Sequence, residues 1–239
     1  MDSVLLSPDE KRRYSRQMAI ENIGTSGQER LKNSSVCIVG CGALGSMVAM
    51  QLAGAGVGRI CISDFDTIDA SNLQRQFFFK TSETGECKSD VLQYRMSDLN
   101  PECNVEAFKC LVNKEKALDL FQGYDFVVDA TDNPASKHMI ESVCAELGKP
   151  CCIAGVSGFR GQVMTVIPGS PKFGDVFPDS EDDGFLPCSI SGVIGPAAAV
   201  CASVQASEAI KYITGAGECL ESKIFAFDLL ENRFSTLSV

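Results

Sequence analysis

The chain has 239 residues, 45% of them hydrophobic, with a formal net charge of −10 and a single histidine, His138. This length suits one large α/β domain with an apolar core. The charge argues against non-specific nucleic-acid binding, because phosphates are repelled overall, and one histidine leaves nothing for a His-rich metal centre or a Ser–His–Asp triad. No apolar run approaches the roughly 20 residues of a spanning helix. Residues 1–17 lack the basic-then-apolar order of a signal peptide, so a cytoplasmic location with no membrane contact is expected. Twelve cysteines sit mostly in apolar segments such as Val36-Cys37-Ile38, and no CxxC pair occurs. They are expected to act as small hydrophobes, and zinc is expected to be absent.

In chain order, Ser7-Pro8-Asp9-Glu10 reads as a helix start with Ser7 as N-cap, and a helical rhythm runs over 8–34. Residues 36–40 form a short β-branched run that predicts a buried strand. A glycine loop follows, then an alanine-rich helix over 44–55 and a second strand over 59–66. A helix over 87–99 stops at Asn100-Pro101. Residues 104–110 read as a strand, 114–121 as a helix, 124–130 as a strong strand, and 135–147 as a helix ended by Gly148. Strands are expected at 151–154 and 162–167. Residues 168–187, rich in Pro, Gly, Asp and Ser, predict a long, mobile crossover loop extending to about residue 190. An apolar helix over 195–213 closes at Gly215, and 223–228 with 232–237 predict a terminal hairpin around Glu231-Asn232.

Strands alternating with helices imply βαβ units. The expected fold is α/β: a Rossmann-like, doubly wound, largely parallel sheet with N-terminal helices, a flexible crossover loop and a C-terminal antiparallel extension. Residues 1–239 read as one unit, with nucleotide binding in 34–155.

Gly40-Cys41-Gly42-Ala43-Leu44-Gly45 matches GxGxxG between a predicted strand and a predicted helix. Glycines permit a tight turn and close approach to a phosphate, and the helix N-terminus favours its negative charge. Asp64 ends the next predicted strand, near the offset expected of a ribose-binding acid. Asp66 is expected on the same side, because strand side chains repeat every two residues. The alternative is a tight turn beside solvated acids. These features do not separate NAD from ATP. Asn72-Leu73-Gln74-Arg75-Gln76 and Lys88 favour ATP, because a leaving pyrophosphate needs fixed cations. Asp129 and Asp132 close the strand at 124–130, where open α/β sheets bind ligands. Asp132 is the better placed to hold Mg²⁺; alternatively Asp132 or Asn133 caps the following helix.

Together with Arg13-Tyr14-Ser15-Arg16-Gln17, Gly192-Val193-Ile194-Gly195-Pro196 and the 205–211 segment, these residues resemble the ThiF/MoeB family, relatives of the ubiquitin-activating enzymes. The resemblance covers nearly the whole chain. It implies adenylation of the C-terminal glycine carboxylate of a ubiquitin-like sulfur carrier ending in Gly-Gly. ATP is consumed with Mg²⁺ as its cofactor, pyrophosphate leaves, and a sulfur donor acts afterwards in thiamine or molybdopterin synthesis. By position, Asp64 would bind ribose; Asn72, Arg75 and Lys88 would bind phosphates; and Asp132 would hold Mg²⁺. Gly40, Gly42, Ala43, Leu44, Gly45, Asp66, Gln76 and Asn133 complete the expected nucleotide site. Arg16 would reach the neighbouring subunit's ATP, which implies a homodimer. Cys188 matches the crossover-loop cysteine that bonds to the carrier in some members, and a thiol without a role is the alternative. Two other readings stay open: a small-molecule or tRNA-borne carboxylate as substrate, or an NAD-dependent oxidoreductase.

Overall fold

The computed structural model describes residues 5–177 and 192–239. It begins with three helices, α1 (Pro8–Arg13), α2 (Ser15–Met18) and α3 (Gly24–Lys32). Ser7 caps α1 reciprocally: its Oγ accepts the Glu10 N–H at 3.2 Å, and the Glu10 carboxylate accepts the Ser7 N–H at 2.7 Å. There follow β1 (Ser35–Val39), α4 (Gly45–Ala55), β2 (Arg59–Ser63), α5 (Lys88–Leu99) and β3 (Asn104–Phe108). Next come α6 (Lys114–Phe121), β4 (Phe126–Asp129), α7 (Pro134–Leu147), β5 (Cys151–Ser157) and β6 (Arg160–Val166). The described chain ends with α8 (Phe173–Val176), α9 (Gly195–Thr214), β7 (Lys223–Asp228) and β8 (Arg233–Ser238).

The strands form one sheet in the order β3-β2-β1-β4-β5-β6-β7-β8. β3 through β5 pair in parallel, and β6, β7 and β8 add on antiparallel. This is the expected doubly wound sheet with its antiparallel extension. Side-chain alternation assigns the two faces. Val36, Ile38, Ile60, Ile62, Phe126 and Val128 meet α4, α5 and α9 on one side. Cys37, Cys61, Val127, Cys151 and Ile153 meet α6 and α7 on the other. The cysteines among the described residues are free thiols, most of them buried in these layers. No helix among the described residues is long and apolar enough to cross a membrane.

Two sequence expectations change, and the terminal hairpin forms as expected. β2 ends at Ser63, not at residue 66, because the Asp64 carboxylate accepts the Asp66 N–H at 2.8 Å and turns the chain. Period-two alternation therefore does not govern Asp66. The connection after β6 is not wholly irregular: α8 docks on α7, with Phe173 buried and its N–H donated to Glu141 Oε1 at 2.6 Å. The rest of the expected loop, with Cys188, lies outside the described residues. The terminal hairpin turns through Asp228, whose carboxylate accepts the N–H groups of Leu230 and Glu231, and Asn232 takes a left-handed φ of 52°.

A buried polar network joins the N-terminal helices to the far end of α4. Asn100 Nδ2 donates to Tyr14 Oη at 2.8 Å and to the Ala53 carbonyl at 2.6 Å. Gln17 and Gln28 both donate to the Ala55 carbonyl at 2.9 Å. Tyr14→Phe strands one buried Asn100 N–H, so it is expected to destabilise the protein by about 1–3 kcal/mol. The measurement is the urea midpoint at constant slope; an unchanged midpoint would contradict the network's role.

Candidate active site

Strand order reverses between β1 and β4, and open α/β sheets bind ligands where that happens, beyond the carboxyl ends of the strands. Here the structure has a cleft of 390 Å³ whose walls come from the loops after β1, β2, β3 and β4 and from β5 itself. Of the residues expected from sequence, Gly40, Gly42, Ala43, Leu44, Asp64, Asp66, Asn72, Arg75, Gln76, Lys88, Asp132 and Asn133 all line it.

The glycines have separate reasons. Gly40 has φ 99°, and a Cβ there would lie 2.7 Å from the Ala130 carbonyl oxygen, so the loop crosses β4's end at backbone distance. A Cβ on Gly45 would lie 1.8 Å from the Gly40 oxygen. Gly45 therefore serves helix-to-loop packing and does not line the cleft, contrary to the expected ligand contact. Gly42 faces open space, with only Gln76 Nε2 near.

Asp64 is buried, and its carboxylate ties loop to strand by accepting the Cys41 N–H at 2.6 Å as well as that of Asp66. Burial pushes its pKa up, against the two N–H donors that hold it down. Lys88 is also buried and donates to Asp66 Oδ2 at 2.9 Å, which aims its ammonium along the cleft wall. Arg75 follows a 3₁₀ turn over Ala70–Asn72, capped by Asp69 through the Ser71 N–H. Its guanidinium donates to the Ser71 carbonyl and has no carboxylate partner among the described residues. It is thus a cation available to a ligand. Gln76 also lines the cleft, with its neutral amide Nε2 towards Gly42, and its buried Oε1 has no hydrogen-bond partner among the described residues.

At β4 the structure separates the two acids. Asp129 is fully buried: Oδ1 accepts both the N–H and Oγ1–H of Thr131, and Oδ2 pairs with Lys137 at 2.7 Å. Asn133 is the N-cap of α7, accepting the Ser136 N–H at 2.8 Å. Asp132 lies between them, exposed on the cleft wall and free of the capping duty. A hard carboxylate on the cleft wall, without a partner among the described residues, suits Mg²⁺, which takes one or two carboxylates and completes its shell with water and phosphate.

Sequence reasoning missed Lys137, Phe65 and Leu111. The last two are large apolar side chains on the cleft wall, 62% and 63% exposed. Lys137 had a signal: with Ile140, Glu141 and Cys144 it falls on the buried stripe of α7, where a cation needs a partner. Arg16 lies on α2, is exposed and is not part of its own chain's cleft.

A model of the ThiF family matches residues 14–239. The chain is 38% identical over 238 residues to a sulfur carrier protein adenylyltransferase of Thermus thermophilus, covering 97% of this chain and 88% of that one. It is 36% identical over 240 residues to the probable adenylyltransferase/sulfurtransferase MoeZ of Mycobacterium tuberculosis, covering 98% of this chain but only 61% of the relative's length. Among solved structures, PaaA superposes with a TM-score of 0.84 at 25% identity, covering 100% of this chain and 76% of that one. Escherichia coli MccB, crystallised with ATP, superposes equally well, with a TM-score of 0.84, 23% identity and 98% and 73% coverage; this likeness speaks to fold alone.

Proposed function

The chain belongs to the ThiF family, and from that premise we propose that it is an ATP-dependent adenylyltransferase, folded as one adenylation unit. Its substrate in this reading is the C-terminal glycine carboxylate of a ubiquitin-like sulfur carrier, serving thiamine or molybdopterin synthesis. The observation that carries the reading is that Arg75, without a carboxylate partner among the described residues, and Lys88, held by Asp66, both line the cleft beside the glycine turn. Fixed cations there favour charge developing on a departing pyrophosphate.

The chemistry asks little else of the protein. A carboxylate is already ionised and needs no base, so positioning and charge stabilisation suffice. One carboxylate oxygen attacks the α-phosphorus, the bond from that phosphorus to the bridging oxygen breaks, and pyrophosphate carries the electron pair away. Gly42 and the start of α4 receive the α-phosphate, Asp64 the ribose, and Asn72, Arg75, Gln76 and Lys88 the outer phosphates. Asp132 would hold Mg²⁺, which supplies charge neutralisation on the phosphates. The exposed Arg16 suits a contact with a second copy's cleft, so the working form in this reading is a homodimer. A cytoplasmic setting keeps the thiols reduced.

The test is ATP–pyrophosphate exchange with a small carrier protein ending in Gly-Gly. Exchange is expected with the intact carrier and only background with the same carrier lacking its last glycine. Binding of NAD in calorimetry, with none of ATP–Mg²⁺, would overturn the assignment.

A further inference from the structure

Lys137 is 6% exposed on the first turn of α7. Its Nζ donates to Asp129 Oδ2, to the Thr131 carbonyl and to the Ala154 carbonyl, each at 2.7 Å. An ammonium has three N–H groups, so none remains for a phosphate although Lys137 lines the cleft. The three acceptors belong to the end of β4, the turn beyond it and β5. Asp129 in turn holds the N–H and hydroxyl of Thr131. The Thr131 residue is therefore gripped on both its N–H and its C=O by one buried ion pair. On the other side of Asp132, Asn133 is fixed by capping α7. Asp132 is thus a single residue between two immobilised neighbours.

We propose that Lys137 is a positioning residue that fixes the Thr131–Asp132 turn and so sets where the Asp132 carboxylate meets the metal on the nucleotide phosphates. The inference rests on the reading of Asp132 as the magnesium ligand. Any buried ammonium needs acceptors for all three N–H groups, so what points to a positioning role is which acceptors these are. Two of its donors go to the carbonyls of Thr131, in the turn beyond β4, and Ala154, within β5, and both residues line the cleft.

The experiment measures Mn²⁺ binding by electron paramagnetic resonance, with a non-hydrolysable ATP analogue present, and the affinity for the metal-free analogue by calorimetry. The proteins are wild type, Lys137→Met, Lys137→Arg and the double variant Lys137→Met with Asp129→Asn, which leaves no carboxylate unpaired if the single variant folds poorly. Outer-shell partners typically contribute about 10–100-fold to metal affinity. Lys137→Met and the double variant are expected to weaken Mn²⁺ by that factor with metal-free affinity unchanged, and Lys137→Arg to recover part of the loss. Wild-type Mn²⁺ affinity in either folded variant lacking the ammonium overturns the inference, as does an equal loss of metal-free affinity. Asp132→Asn separates the two levels: if it leaves Mn²⁺ binding intact, the underlying assignment of Asp132 fails; if it abolishes binding while the Lys137 variants keep it, only the positioning role fails.

Discussion

Alanine at Arg75 or at Lys88 is expected to lower ATP–pyrophosphate exchange by about 10²–10³-fold, the range seen when one preorganised charge-stabilising group is removed. The fold should survive both changes. Arg75 gives up only one hydrogen bond, to the Ser71 carbonyl at 3.2 Å, and leaves no carboxylate partner stranded among the described residues. Lys88 is buried, but its partner Asp66 is 49% exposed and is left in contact with water. Both variants should therefore keep a urea midpoint near wild type. If the cations act on the leaving group, kcat falls more than KM for ATP rises; a change in KM alone would mean uniform binding. Full exchange in both variants would remove the phosphate clamp from the mechanism.

Gly45→Ala is expected to be the most damaging single methyl in the chain's glycine loop. The added Cβ would lie 1.8 Å from the Gly40 carbonyl oxygen, 2.8 Å from its carbon and 3.1 Å from the Ala130 Cβ. The obstruction is backbone, and Gly40 is itself in a left-handed conformation with β4's end so near that a Cβ on it would lie 2.7 Å from the Ala130 carbonyl oxygen. Overpacking ordinarily costs about 1–3 kcal/mol and more where nothing can yield. The urea midpoint should fall accordingly, and ATP binding should be lost with the turn's shape. Gly42→Ala is the control. Its Cβ meets only Gln76 Nε2, at 3.6 Å, so the protein should fold normally while the methyl occupies the space meant for phosphate. Wild-type stability and binding in Gly45→Ala would show that the turn is not built as described.

Much of this architecture was legible because it follows from local chemistry. The β-branched runs, the Ser7 capping box, the Gly148 and Gly215 stops and the glycine loop each state their structure within a few residues. What was illegible depends on contacts made at a distance. Nothing near Ser63 announces that Asp64 will bend the chain by accepting two backbone N–H groups, one of them from Cys41 across the cleft floor. Sequence puts Asp132 ahead of Asp129 as the ligand-facing acid, but does not say what occupies Asp129: the Lys137 ammonium, eight residues on, pairs with it in the interior. The docking of Phe173 on α7 was hidden because its partner, Glu141, is 32 residues away and looks like one more surface acid.

Helix α4 has eleven residues and so spans about 16 Å at 1.5 Å per residue. The phosphate turn is built on its first residue. Its last carbonyls, Ala53 and Ala55, are clasped by Asn100, Gln17 and Gln28. A helix of this length is a strut, so the floor of the cleft and the segment carrying Arg16 are joined through one hydrogen-bonded element. In the proposed reading, a nucleotide seated against the glycines would rest on the same strut that carries the arginine at the opposite end.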